Sequence, residues 1–222
     1  MSIKIKLMIL YLIVECSFSL AQPPMVFTAV HCDPNETENF PVLLRLVDSA
    51  DAYQVHLTIE FTEPWAQIIR EDTAKLRLLR EWQEQGHEIA MHHHGLRAPY
   101  HWDGYSADTS QSTILAYGKD PADLKGDMND FMEVMMPLGG DSSILTFGTG
   151  DTADWIEGIP YQNDGNLITH TGLPIEERIY GSTQVLRIGQ FFLDDTNYAG
   201  LNKLIKMLNS YDSGKVVGAV FH

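Results

Sequence analysis

The stretch Gly86–Gly95, GHEIAMHHHG, holds four of the chain's nine histidines in ten residues, and what precedes it decides how it is read. Glu71–Gly86, EDTAKLRLLREWQEQG, predicts a helix: Asp72 or Thr73 caps it, Leu76, Leu79 and Trp82 form its apolar stripe, and Gly86 stops it. The histidines therefore open as a strand that follows a helix. Upstream, Met25–Cys32 (MVFTAVHC) and Tyr53–Thr62 (YQVHLTIEFT) are rich in β-formers. Between them Val42–Ala52 carries Leu43, Leu44, Leu46 and Val47 on one helix face. Downstream, residues 107–136 predict helix in pieces, broken near Gly118 and Pro121 and ended by Pro137–Gly140, before a strand in SSILTFGTGD. A strand in TQVLRIGQFFL, a helix over Tyr198–Ser210 and a last strand KVVGAVFH complete the alternation. Alternation of this kind predicts an α/β fold with a mostly parallel sheet, in which chemistry gathers at the carboxyl ends of the strands. His31 and Asp33, then Glu60 and Trp65, then His92–His94, then Thr149 and Asp151, and finally His222 fall at or just beyond such ends.

Composition sets the outer limits. At 222 residues, 44% hydrophobic and 20% charged, the chain is long enough for one domain with its own core. A formal charge of −15, with only 15 scattered basic residues, argues against a nucleic-acid partner, since phosphate backbones are held by clustered Lys and Arg. Residues 1–21 read as a signal peptide, with a basic MSIKIK, an apolar LMILYLIV and small Ser19 and Ala21 at the cleavage positions. The apolar run is too short to span a bilayer, so a secreted or periplasmic protein with no stable membrane span is expected. The remaining domain is 22–222. Cys16 leaves with the signal and Cys32 is left alone, so no internal disulfide is expected. The sequence stops on His222, at the end of an apolar strand. It reads either as a domain with a terminal functional group or as a fragment of a longer one.

Three consecutive histidines on a strand end have a specific use. Alternate side chains share a face, so His92 and His94 point one way and His93 the other. Two imidazoles facing an Asp from a neighbouring strand make a ligand set for a divalent cation: Zn²⁺ first, with Ni²⁺, Co²⁺ or Mn²⁺ suited to the same atoms. Such a cation polarises a carbonyl and acidifies water, the chemistry of metal-assisted hydrolysis. A solvated loop, or a metal-binding patch without catalysis, is the plainer alternative.

Leu79–Gly95, LREWQEQGHEIAMHHHG, resembles the second motif of the polysaccharide deacetylase superfamily, carbohydrate esterase family 4. There a helix ends in Gly-His-Glu-Ile and a strand leads into H-[S/T]-x-x-H. His92 falls on the first metal histidine of that motif. FTAVHCDPNE stands where the family has T-F-D-D-G, with Asp33 on the second, metal-binding Asp. VVGAVFH resembles the late strand that ends in a general-acid histidine, here His222. Two positions depart: the family's general base falls on Cys32 and its second metal histidine on Leu96. His94 is then the substitute ligand, with His101 behind it, and His31 or Glu36 stands in for the base. The resemblance implies a distorted (β/α) barrel of the glycoside hydrolase/deacetylase type. It also implies removal of N- or O-acetyl groups from a carbohydrate polymer outside the cell.

Aromatic side chains bear on the substrate. Tyr100, Trp102 and Tyr105, with His101, form a candidate sugar-binding wall in APYHWDGYS, while Trp65, beside Ile68 and Ile69, reads as packing under a short helix. FGTGD lacks the Lys and the spacing of a phosphate loop. Two other functions compete with deacetylation. One is glycoside hydrolysis, with Asp33 or Glu36 paired against Asp151. The other is metal or glycan binding without catalysis, favoured by loss of the family's base.

Overall fold

The computed structural model describes residues 25–98, 101–140, 144–150, 152–163, 175–193, 199–210 and 216–221. The proposed signal peptide, Tyr100, Asp151 and His222 lie outside these residues. Among them the chain builds one curled, mostly parallel sheet of nine strands: β1 Met25–Cys32, β2 Thr58–Phe61, β3 Glu88–His93, β4 Thr146–Thr149, β5 Tyr161–Asn163, β6 Ile175–Tyr180, β7 Thr183–Ile188, β8 Gln190–Phe192 and β9 Val216–Phe221. Their order is β6-β7-β5-β4-β3-β2-β1-β9-β8, and only β6 with β7 is antiparallel. The predicted α/β class and parallel sheet are therefore present. The order is open, with β6 and β8 at its edges. Yet Gly189 alone separates β7, which runs beside β5, from β8, which runs beside β9.

Six helices accompany the strands among the described residues: α1 Phe40–Ala52, α2 Glu63–Arg70, α3 Thr73–Glu84, α4 Gln111–Ala116, α5 Met128–Gly139 and α6 Ala199–Ser210. In α3 the Asp72 carboxylate accepts the Ala74 and Lys75 N–H groups, as a cap should, and Leu79 and Trp82 are buried. Gly86 follows with φ +101°, a conformation that costs other residues strain, and the His56 ring lies where its Cβ would stand. α5 runs through Pro137 to Gly139 and so ends within the predicted Pro137–Gly140 stretch, with Gly140 at φ +60° just beyond it. Near its end Arg80 and Gln83 of α3 donate to the carbonyls of Pro137, Leu138 and Gly139. The strand predicted from Tyr53 is corrected. α1 runs to Ala52, Tyr53 and Gln54 close its last turn, and extended pairing starts only at Thr58.

The sheet's two faces differ in chemistry. Val30 and Cys32, Ile59 and Phe61, Ile89 and Met91, and Phe147 pack with Phe40, Leu43, Val47, Trp65, Leu79, Trp82, Phe131 and Leu138 in the main core. By strand alternation and register, the opposite face carries His31, then Thr58, Glu60 and Thr62, then Glu88 and His92, then Thr146 and Gly148, then Asn163. That face is polar and buried, and the next residues along it are Asp33 and His94. Cys32, which takes the position of the resembled family's base, falls on the core face and is 3% exposed.

Candidate metal centre and its surroundings

Asp33, His92 and His94 converge. His92 Nε2 lies 3.0 Å from His94 Nε2, and Asp33 Oδ1 lies 3.6 Å from the first and 3.4 Å from the second. A tetrahedral cation with ligands at about 2.0–2.2 Å sets its ligand atoms roughly 3.4 Å apart, so three donors at these separations match one coordination face. Asp33 Oδ1 and His94 Nδ1 are buried without a hydrogen-bond partner among the described residues. For a carboxylate oxygen that is costly unless a cation or water serves it.

Asp33 and His92 are held from behind. The end of β1 is pinned by Thr62, whose hydroxyl donates to the Cys32 carbonyl at 2.6 Å, and by Trp65 of α2, whose indole N–H donates to the Asp33 carbonyl at 2.8 Å. Trp65, expected to pack, does so at 2% exposure and also orients a site residue. His92 Nδ1 lies 2.9 Å from the Gly148 carbonyl. A carbonyl only accepts, so the proton is on Nδ1 and the Nε2 lone pair faces Asp33 and His94, an arrangement typical of metal-ligating imidazoles. Burial first, then the cost of protonating it beside the stacked His31 ring, push the His92 ring down to about 4, so it is neutral at pH 7, as a ligand must be. Burial alone would raise the Asp33 carboxyl, but the imidazoles of His92 and His94 hold it well below the usual carboxylate range.

Beneath this trio sits a second group: His31, Glu60 and His92. Glu60 Oε2 is 3.2 Å from His31 Nε2 and 3.8 Å from His92 Nδ1, and Glu60 Oε1 accepts from Asn163 Nδ2 at 2.6 Å. The His31 and His92 rings stack at 4.1 Å. Because His92 turns its N–H to Gly148, its lone pair serves the upper group, and His31 with Glu60 remains as an imidazole–carboxylate pair beside it. Gly148 makes room for both, since a Cβ there would overlap Glu60 Oε2 and crowd His92 Nδ1.

The other expected site residues are dispersed. Glu36 is partly exposed and belongs to neither group. His101 is exposed with φ 38° and stands outside both groups, and Trp102 is half-buried, its N–H donating to the Tyr105 carbonyl at 2.8 Å. Tyr105, read as part of a sugar-binding wall, is instead 4% exposed and packs edge-on against Phe131 in the core. His222 and Asp151 lie outside the described residues. Sequence reading gave Glu60 no role, and it missed Asn163 and Gly148. The signal available for Glu60 was its position between Thr58 and Thr62, three polar side chains on one face of a strand whose other face is Ile59 and Phe61.

No family model matches the chain, and no curated protein matches it. Among solved structures, the 4-alpha-glucanotransferase from Thermococcus litoralis is similar over 89% of this chain and 32% of that one, with a TM-score of 0.52 and 13% identity. The chain thus spans about a third of that protein's length. At that identity the likeness concerns the fold. No helix among the described residues is long and apolar enough to cross a membrane.

Proposed function

We propose that the protein is a secreted or periplasmic metal-dependent hydrolase that removes N- or O-acetyl groups from a carbohydrate polymer. We also propose that its curled sheet, with the β7–β8 segment passing from β5 to β9, is a distorted (β/α) barrel. One observation carries the functional reading: the convergence of Asp33 Oδ1, His92 Nε2 and His94 Nε2 within 3.6 Å of one another on the polar face. The donor set of two neutral imidazoles and one carboxylate suits Zn²⁺, and Ni²⁺, Co²⁺ or Mn²⁺ also fit. A cation held there supplies Lewis acidity toward the acyl oxygen and lowers the pKa of water toward about 7. His31 takes the water's proton, and Glu60 keeps the His31 ring in place from the side away from bulk solvent. His222, by resemblance to the family's late motif, gives a proton to the leaving amine or alcohol. Trp102 offers its flat ring to the sugar. The carbohydrate class gains support from the named activity of the structural neighbour, a glucanotransferase, and export from residues 1–21.

The test is acetate release from acetylated amino-sugar polymers by Zn²⁺-loaded wild type, His31→Ala and His92→Ala. Release that depends on both side chains is expected. Equal release by wild type and His92→Ala on a substrate that is turned over would sink the reading. Binding of the polymer without any release would favour a non-catalytic glycan-binding protein.

A further inference from the structure

We infer that Asp103 is a positioning residue for the proposed metal centre: with His93 and Asp154 it forms a buried clamp that fixes His94, a ligand lying beyond the end of the β3 ladder. The inference rests on the metal reading given above. Of the three ligands, His92 sits inside β3 and pairs with Gly148 of β4, and Asp33 is tied to Trp65. His94 has no such support, because the β3 ladder ends at the pairing of His93 with Thr149.

Asp103 replaces the missing ladder. Its backbone N–H donates to the His94 carbonyl at 3.1 Å, and its Oδ2 accepts the His94 backbone N–H at 3.1 Å. Both peptide groups of the ligand are therefore held by one residue nine positions later. The same Oδ2 accepts from His93 Nδ1 at 2.8 Å, and Oδ1 accepts the Tyr105 N–H at 3.2 Å. On the far side, His93 Nε2 donates to Asp154 Oδ2 at 3.1 Å, and Asp154 Oδ1 accepts from Ser106 Oγ and the Ala107 N–H. His93, Asp103 and Asp154 are 2%, 2% and 1% exposed.

Two carboxylates that both need a donor from one ring require that ring to carry both N–H groups. Asp103 Oδ2 lies 2.8 Å from His93 Nδ1 and Asp154 Oδ2 lies 3.1 Å from His93 Nε2, so the clamp is a ring that donates to a carboxylate on either side. Buried charge clusters can often be replaced by apolar residues with little loss of stability. What an apolar side chain at 103 could not do is accept the His94 N–H and the His93 Nδ1–H together, and so keep the segment that orients the imidazole completing the trio.

The experiment compares Co²⁺ affinity and the visible Co²⁺ spectrum in wild type, Asp103→Asn and Leu79→Ala, the last a truncation in α3 within the apolar core, on the sheet face opposite the trio. Loss of an outer-shell partner typically weakens metal binding about 10- to 100-fold. That loss, with an altered spectrum, is expected for Asp103→Asn, while Leu79→Ala loses stability and keeps wild-type affinity. If Asp103→Asn does not fold, Asp103→Glu, which keeps the charge but moves it, is measured the same way and is expected to weaken binding too. Wild-type affinity and spectrum in whichever Asp103 variant folds, or an equal loss in Leu79→Ala, overturns the positioning role and leaves the metal reading intact. Failure of wild type to bind Co²⁺ overturns the metal reading, and this inference with it.

Discussion

His92 and His93 are neighbours on one strand with opposite surroundings. His92 looks onto the polar face of the sheet, donates to a backbone carbonyl, and is pushed down to about 4. His93 looks onto the helix-packed face, against Phe131 and Phe147, and is lifted to about 10 by two carboxylates. The buried cation thus stands on the apolar side and the neutral ring on the polar side. A histidine's role here follows from the partners that alternation assigns to it, not from the polarity of the layer it enters.

The comparison is broken most severely from the His93 side. His93→Leu fits the apolar surroundings but strands Asp103 and Asp154, both buried, without their shared cation. Removing one partner of a buried ion pair costs about 3–5 kcal/mol, and a loss of that order is expected in urea unfolding of the metal-free protein. A loss within about 0.5 kcal/mol would mean that the clamp holds no energy. From the other side, His92→Ala should leave folding less affected and metal binding far more. With one of three ligands gone, Zn²⁺ affinity is expected to fall at least about 100-fold, or about 2.8 kcal/mol, by competition with a chelating dye. Gly148→Ala adds a methyl group that Glu60 Oε2 and His92 Nδ1 already exclude. Overpacking of this kind costs about 1–3 kcal/mol, and here it should weaken Zn²⁺ binding together with stability.

How much of this could be read from the chain divides along the same line. Asp33, His92 and His94 were legible because strand alternation is a short-range rule: once β1 and β3 are placed, their site-facing residues follow. The clamp was not legible. His93 appeared only as the side chain that points away, and its partners come from a loop and a short helical turn 10 and 61 residues later. No local period predicts such pairing. β5 has only three residues, which is too few to establish an alternation, and β6 pairs only in a hairpin with β7. Tyr105 misled because an aromatic ring between Gly104 and Ser106 resembles an exposed loop, whereas Phe131 and the clamp draw it inward.

The smallest step per unit of change, and the one that sharpens the comparison, is the pH dependence of stability without metal. His93 has a folded value above the ordinary 6.5, so its contribution is complete below about pH 6.5 and is lost as pH rises toward about 10. His92 has a folded value below 6.5, so its contribution is complete above about pH 6.5 and is lost as pH falls toward about 4. Each proton involved is worth at most about 1.4 kcal/mol per pH unit. Asp33 and Asp154, held below the usual carboxylate range, lose their contributions only under about pH 4 and leave the middle of the acid limb to the histidines. Melting temperatures of the metal-free protein across pH 4–10 should therefore peak near pH 6.5. His93→Leu should flatten the alkaline limb alone, and His92→Ala should flatten the acid limb between pH 4 and 6.5. If each variant flattened the other's limb, the two rings would have the reverse of the charge states argued here. The neutral ligand and the charged clamp would then have to exchange places.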